Sequence, residues 1–184
     1  SDSPHSYLYT VPGAFSSKPT VTLPTSSGPA TTSPKEALRR EEAELAKRFL
    51  QTGKPDFARK AASFQIGSTR SFAFDEFGDV SAQTVTATLV ATSSRAEAWV
   101  DNNTSAITTA QVQAQIDQFS TSTYPIVTSV FGDPSDVDGD GKVLFLYTEL
   151  VDQVGGVAGF YRSKSLFSTS DGGDGNQADM MYIG

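Results

Sequence analysis

From Phe64 to Val100 apolar side chains return at every second residue, and that period of two restricts this part of the chain to strands. Phe64/Ile66, Phe72/Phe74 and Val85/Ala87/Leu89/Ala91 alternate with polar neighbours, and Arg95-Ala96-Glu97-Ala98-Trp99-Val100 alternates again. With Gly67, Gly78 and Asp79 as punctuation, the pattern predicts antiparallel strands with one wet face. The period is different on either side. Ser33-Pro34-Lys35-Glu36 supplies an N-cap, a proline in the first turn and the Glu of a capping box, and Gly53 stands where a helix would stop. A helix is therefore expected over about 34–52. Leu38, Leu45 and Phe49 share one face, and Glu36/Arg40 and Glu44/Arg48 form i,i+4 pairs. Thr108-x-x-Gln111 caps a second helical run through Val112, Ile116 and Phe119, which Pro125 kinks or restarts before Phe131-Gly132.

Residues 1–33 mix Ser, Thr and Pro with few apolar side chains, so burial alone cannot offset their ordering entropy, and they read as an extended arm. The expected organisation is an arm over 1–33, a helical lead-in over 34–62 and a β-rich lobe over 63–184. The fold class is α+β: a twisted, mainly antiparallel sheet with one long helix packed behind it. At 184 residues the chain can bury about 70% of its unfolded surface without staples. Cysteine is absent, which excludes disulfides, thiolate metal sites and a Cys nucleophile. A net charge of −7 argues against nucleic acid as a partner, and no apolar run approaches the ~20 residues of a membrane span.

Asp136-Val137-Asp138-Gly139-Asp140-Gly141 carries the strongest chemical signal. Carboxylates at alternate positions converge on one point, and the closing glycine allows the turn that brings the Lys142 carbonyl inward. An EF-hand would place a bidentate Glu at the twelfth loop position, but Tyr147 stands there, inside the strand-like run Val143-Leu144-Phe145-Leu146-Tyr147. The expectation is a loop-then-strand Ca²⁺ site with ligands from Asp136, Asp138, Asp140 and Lys142. Loops of this kind fill at the roughly millimolar calcium found outside cells, which points to a secreted protein.

A second acidic loop, Asp171, Asp174 and Asn176, reads as a turn, because its spacing matches no derivable metal loop. The adjacent acids Glu149 with Asp152, and Asp75 with Glu76, read as solvated rather than as acid/base pairs. Serine triads need a histidine in the structured region, where none stands, phosphate-binding Gly-x-x-x-x-Gly-Lys is absent, and no helix pattern follows Gly155-Gly156 and Gly159 to make a dinucleotide fingerprint. Asn102-Asn103-Thr104-Ser105 holds acceptor-type glycosylation sequons.

Trp99-Val-Asp101, the capped helix, Tyr124-Pro-Ile-Val-Thr-Ser-Val-Phe-Gly132, the acidic loop with its strand to Tyr147, and Gly-Gly-Val-Ala-Gly-Phe-Tyr together resemble secreted zinc metallopeptidases of the hyicolysin family, with immune inhibitor A enzymes more distant. The resemblance covers about residues 64–184. It implies the upper part of a zincin-like catalytic domain, built as strand, long helix, strand, edge strand and strand, followed by a helix bearing His-Glu-x-x-His. It implies zinc as the catalytic metal, calcium as a structural one, and a protein or peptide substrate. Gly156, Val157, Ala158 and Gly159 would then lie on the edge that pairs with an extended substrate, although these glycines equally fit a bulge or turn. The chain departs from the family in one respect: its single histidine is His5, in the arm, so the zinc ligands are not in this chain and no catalytic residue is assigned within it. The expectation is the N-terminal portion of a metalloendopeptidase, with a possible second chain carrying the other catalytic half. A calcium-stabilised extracellular module without catalytic activity is the alternative.

Overall fold

The computed structural model describes residues 40, 43, 44, 47, 63–77, 80–105 and 107–184. The arm, His5, Gly53, Gly78, Asp79 and most of the lead-in helix lie outside the described residues. Within the lead-in, Arg40, Ala43, Glu44 and Lys47 are helical and exposed.

Six strands form one sheet in the order β1-β2-β3-β4-β6-β5: β1 Thr69–Phe74, β2 Gln83–Thr92, β3 Ala96–Asp101, β4 Val143–Tyr147, β5 Gly159–Tyr161 and β6 Met180–Ile183. The β1/β2, β2/β3 and β5/β6 pairings are antiparallel, and β3/β4 and β4/β6 are parallel. The molecule is thus a mixed α/β structure with a mostly antiparallel sheet and one longer helix. That helix, α1, spans Thr109–Gln118 behind the predicted Thr108/Gln111 capping box, buries Val112 and Ile116, and lies against β2 and β3. A five-residue π-helical turn, Phe119–Thr123, joins it to α2, Tyr124–Phe131, so Pro125 restarts the helix in a first turn where its missing N–H costs nothing.

Both faces of the sheet carry a core. One holds Phe72, Phe74, Leu89, Trp99, Leu146, Met180 and Tyr182, and the helix side holds Ala91, Ala96, Ala98, Val112, Ile116 and Tyr147. Three expectations from alternation fail for identifiable reasons. Phe64 and Ile66 precede β1: a turn closed by Ser68 N–H on the Gln65 carbonyl (2.8 Å) leaves Ile66 exposed. Ala91 does not share the face of Val85, Ala87 and Leu89, because a register shift between Leu89 and Ala91 turns it to the helix-side core. Finally, β3 is central and covered on both faces, so its polar positions Glu97 and Asp101 are buried rather than wet.

After β4 the chain makes a short helix absent from the sequence reading, α3 Leu150–Val154, buried through Val151 and Val154. The expected strand at Gly156–Tyr161 shortens to β5, because Gly155 and Gly156, at φ of 75° and 72°, make the left-handed turn out of α3. Gly159 serves a different need: a Cβ there would lie 2.7 Å from the Tyr182 carbonyl oxygen, so it lets β5 approach β6.

Candidate metal centre

Because β3, β4 and β6 run parallel, their N-terminal ends line up, with Ala96 beside Val143 and Leu144 beside Met180. The topology therefore gathers Glu97, Lys142 and Asp179, far apart in sequence, around the loop that enters β4. The loop arches by local hydrogen bonds. The Asp136 carbonyl accepts from Gly139 N–H (3.1 Å), Asp136 Oδ1 accepts from Gly141 N–H (2.8 Å), and Asp140 Oδ1 accepts from Lys142 N–H (2.8 Å). Gly139 and Gly141, at φ of 73° and 71°, take the left-handed conformations that fold the arch. Asp136 adopts φ 48°, a region that Asp tolerates better than most residues.

Asp136, Asp138 and Asp140 each present one carboxylate oxygen, and the three lie within 4.8 Å of one another. Asp138 Oδ1 is buried and accepts no hydrogen bond among the described residues. Burial pushes the Asp138 carboxyl up to about 7, with the charges of Asp140 and Asp179 adding to the effect. The Asp140 carboxyl is also raised, first by burial and then by Glu97 and Asp136, against the opposing Lys142 N–H and ammonium. An oxygen-only cluster with an orphaned, partly desolvated carboxylate is what a hard cation would complete. Lys142 stands at the rim: its N–H belongs to the arch, and its ammonium reaches Glu97 Oε1 at 3.2 Å while Glu97 Oε2 accepts from the Trp99 indole at 3.3 Å.

Zinc is another matter. Its usual ligands include histidine or thiolate; the chain has no cysteine, and its one histidine, His5, lies outside the described residues. Among the described residues the three aspartates are the only cluster of three or more His, Cys, Asp or Glu side chains placed to share a metal ion.

The second acidic loop is tied to protein donors. Asn176 Oδ1 accepts from Ala73 N–H and its Nδ2 donates to the Ala73 carbonyl, both at 2.8 Å, so the side-chain amide pairs with β1 as a neighbouring strand would. Asp174 accepts from Ser165 Oγ (2.7 Å) and Asn176 N–H (2.9 Å), and Asp171 from Ser168 Oγ. Asp75 answers Lys164 at 3.0 Å and the buried Arg162 at 3.5 Å rather than forming an acid/base pair with Glu76. Burial raises its carboxyl, but the Lys164 hydrogen bond and the two cations outweigh that and hold it below its ordinary range. Glu149 and Asp152 are exposed, as expected, and so are Asn102 and Asn103.

Of the four residues expected on a substrate edge, Gly156 lies in the turn, Val157 packs on the core, Ala158 accepts from Gly184 N–H (3.1 Å), and only Gly159 belongs to β5, which ends the sheet order. Sequence reading missed the role of Asp179. Its carboxylate is buried and accepts from Ser135 N–H (3.1 Å) and Val137 N–H (2.9 Å), fixing the arch from behind. No local signal marks it, since its partners lie more than forty residues upstream. No protein-family model matches this chain, and no curated protein matches it either.

Proposed function

We propose that residues 63–184 are the calcium-binding N-terminal lobe of a secreted zinc metalloendopeptidase similar to hyicolysin, with Asp136, Asp138, Asp140 and the Lys142 carbonyl holding Ca²⁺. The observation that carries the reading is the order and direction of elements: β3, a long helix, parallel β4 entered through the acidic loop, antiparallel edge strand β5, then parallel β6. That is the order the resemblance implies. The orphaned Asp138 Oδ1 supports the cation, and magnesium is the poorer candidate because it gives up its waters reluctantly.

In this reading the lobe binds and orders, and the zinc ligands come from residues outside it. Zinc, when bound, would polarise the scissile carbonyl of the substrate and activate a water. The outer backbone groups of β5 would pair with an extended peptide by strand addition, and Gly159 keeps β5 seated on β6 while they do so. The cation would fix the loop that enters β4, beside the starts of β3 and β6. On α2, Ile126, Val130 and Phe131 are 67%, 69% and 83% exposed, a patch of the kind that marks a protein contact and suits a second catalytic half.

The test is to extend the coding sequence past Gly184 and assay the product. A His-Glu-x-x-His helix within a few tens of residues, with phenanthroline-sensitive cleavage of an unfolded protein substrate, is the expected outcome. Neither motif nor cleavage, in that product or in any copurifying polypeptide, overturns the peptidase and leaves a calcium-stabilised binding module.

A further inference from the structure

Asp179 holds the acidic loop at both of its ends. Its carboxylate takes Ser135 and Val137 N–H at the start of the arch, and its own carbonyl takes Leu144 N–H (2.8 Å) where the arch becomes β4. Asp179 is 5% exposed, and Val137, whose N–H it holds, is 3% exposed. Two converging N–H donors call for two acceptor oxygens, which a carboxylate has and an amide lacks.

We propose that Asp179 is the positioning residue of the cation site, presetting the Asp136–Asp140 arch from behind and coupling cation loading to the anchoring of β6. It touches no cation. It acts through the backbone of Ser135 and Val137, as the outer hydrogen-bond partners of metal ligands do, and through its charge. Because Met180–Ile183 follows directly and pairs with both β4 and β5, loading of the loop should tighten the strand on which β5 rests.

The inference rests on the cation reading above, so the experiment separates the two. Calcium, and terbium as its luminescent stand-in sensitised by Trp99, are titrated into the wild type, Asp179→Asn and Asp179→Glu. Asp179→Asn should bind about 10–100-fold more weakly. Asp179→Glu, which keeps two oxygens and the charge, should recover part of that loss. Amide exchange at Met180–Ile183 should slow on adding calcium to the wild type and not to Asp179→Asn at the same concentration. If the wild type binds neither ion, the cation reading fails and takes this one with it. Should the wild type bind and Asp179→Asn match it within twofold, only the positioning role is overturned. An Asp179→Asn protein unfolded without calcium should refold as calcium rises, with its midpoint displaced by the same factor; failure to refold at any calcium concentration overturns the proposal, because excess cation can replace a residue that merely presets the site.

Discussion

Neutralising Asp138 should act in opposite directions with and without calcium. Its carboxyl is pushed up to about 7 in the folded protein, by burial first and then by Asp140 and Asp179, against an ordinary 3.8 in the unfolded chain. Between those values the folded state keeps a proton that the unfolded state has lost. The calcium-free protein therefore becomes less stable as pH rises through about 4 to 7, and above 7 it carries the whole penalty. At about 1.4 kcal/mol per pKa unit, a fully enclosed group would cost about 4 kcal/mol. Asp138 is only partly enclosed, and solvent screening reduces the figure to about 1–2 kcal/mol. Asn keeps the shape and removes the charge. In EGTA at pH 8, Asp138→Asn should melt about 3–6 °C above the wild type, and the difference should close towards pH 4. In 10 mM calcium the order should reverse. With Kd on the order of 10⁻⁴ to 10⁻³ M, the wild type gains about 1.4–2.7 kcal/mol by mass action, while the variant, missing a ligand, gains little. Scanning calorimetry of both proteins from pH 4 to 8, in EGTA and in calcium, reads all of this. A variant less stable than the wild type in EGTA at pH 8, or a calcium-free wild type whose melting temperature does not fall between pH 5 and 8, would refute the reasoning.

Two further outcomes are expected. Asn176→Ala removes both partners of the Ala73 backbone and a donor to Tyr182 Oη (3.0 Å), so it should cost about 2–4 kcal/mol in urea unfolding, and a loss under 1 kcal/mol would show that water replaces the amide. The isolated 184-residue chain with added zinc should not cleave unfolded protein substrates above background, since one imidazole cannot make a three-ligand site; phenanthroline-sensitive cleavage by the chain alone would contradict the placing of the zinc ligands outside it.

Legibility in the sequence tracked how local each determinant is. The capping box at Thr108 and Gln111, the buried pair Phe72 and Phe74, and the Asp136–Gly141 arch depend on neighbours a few residues apart, and all three could be read directly. Ala91 could not be placed, because the register shift depends on pairing with β3 and alternation has no term for it. Glu97 was read as wet since nothing in Ala96–Asp101 reveals that β3 is central and carries a core on both faces. The roles of Asp179 behind the arch and of Asn176 beside β1 were not legible for the same reason: their partners lie 42 and 103 residues away, and only the sheet order brings them together. The clustering of Asp136, Asp138 and Asp140 was legible and its surroundings were not, because the three aspartates share one segment while Glu97 and Asp179 come from the starts of other strands.

The most direct test of the cation site is a calorimetric titration of the EGTA-stripped chain with calcium and, separately, magnesium at pH 7.5, repeated on Asp138→Asn. The account predicts a single calcium site with Kd on the order of 10⁻⁴ to 10⁻³ M, much weaker magnesium binding, and loss of the calcium heat in the variant. No calcium heat and no calcium-dependent rise in melting temperature up to 10 mM would contradict it.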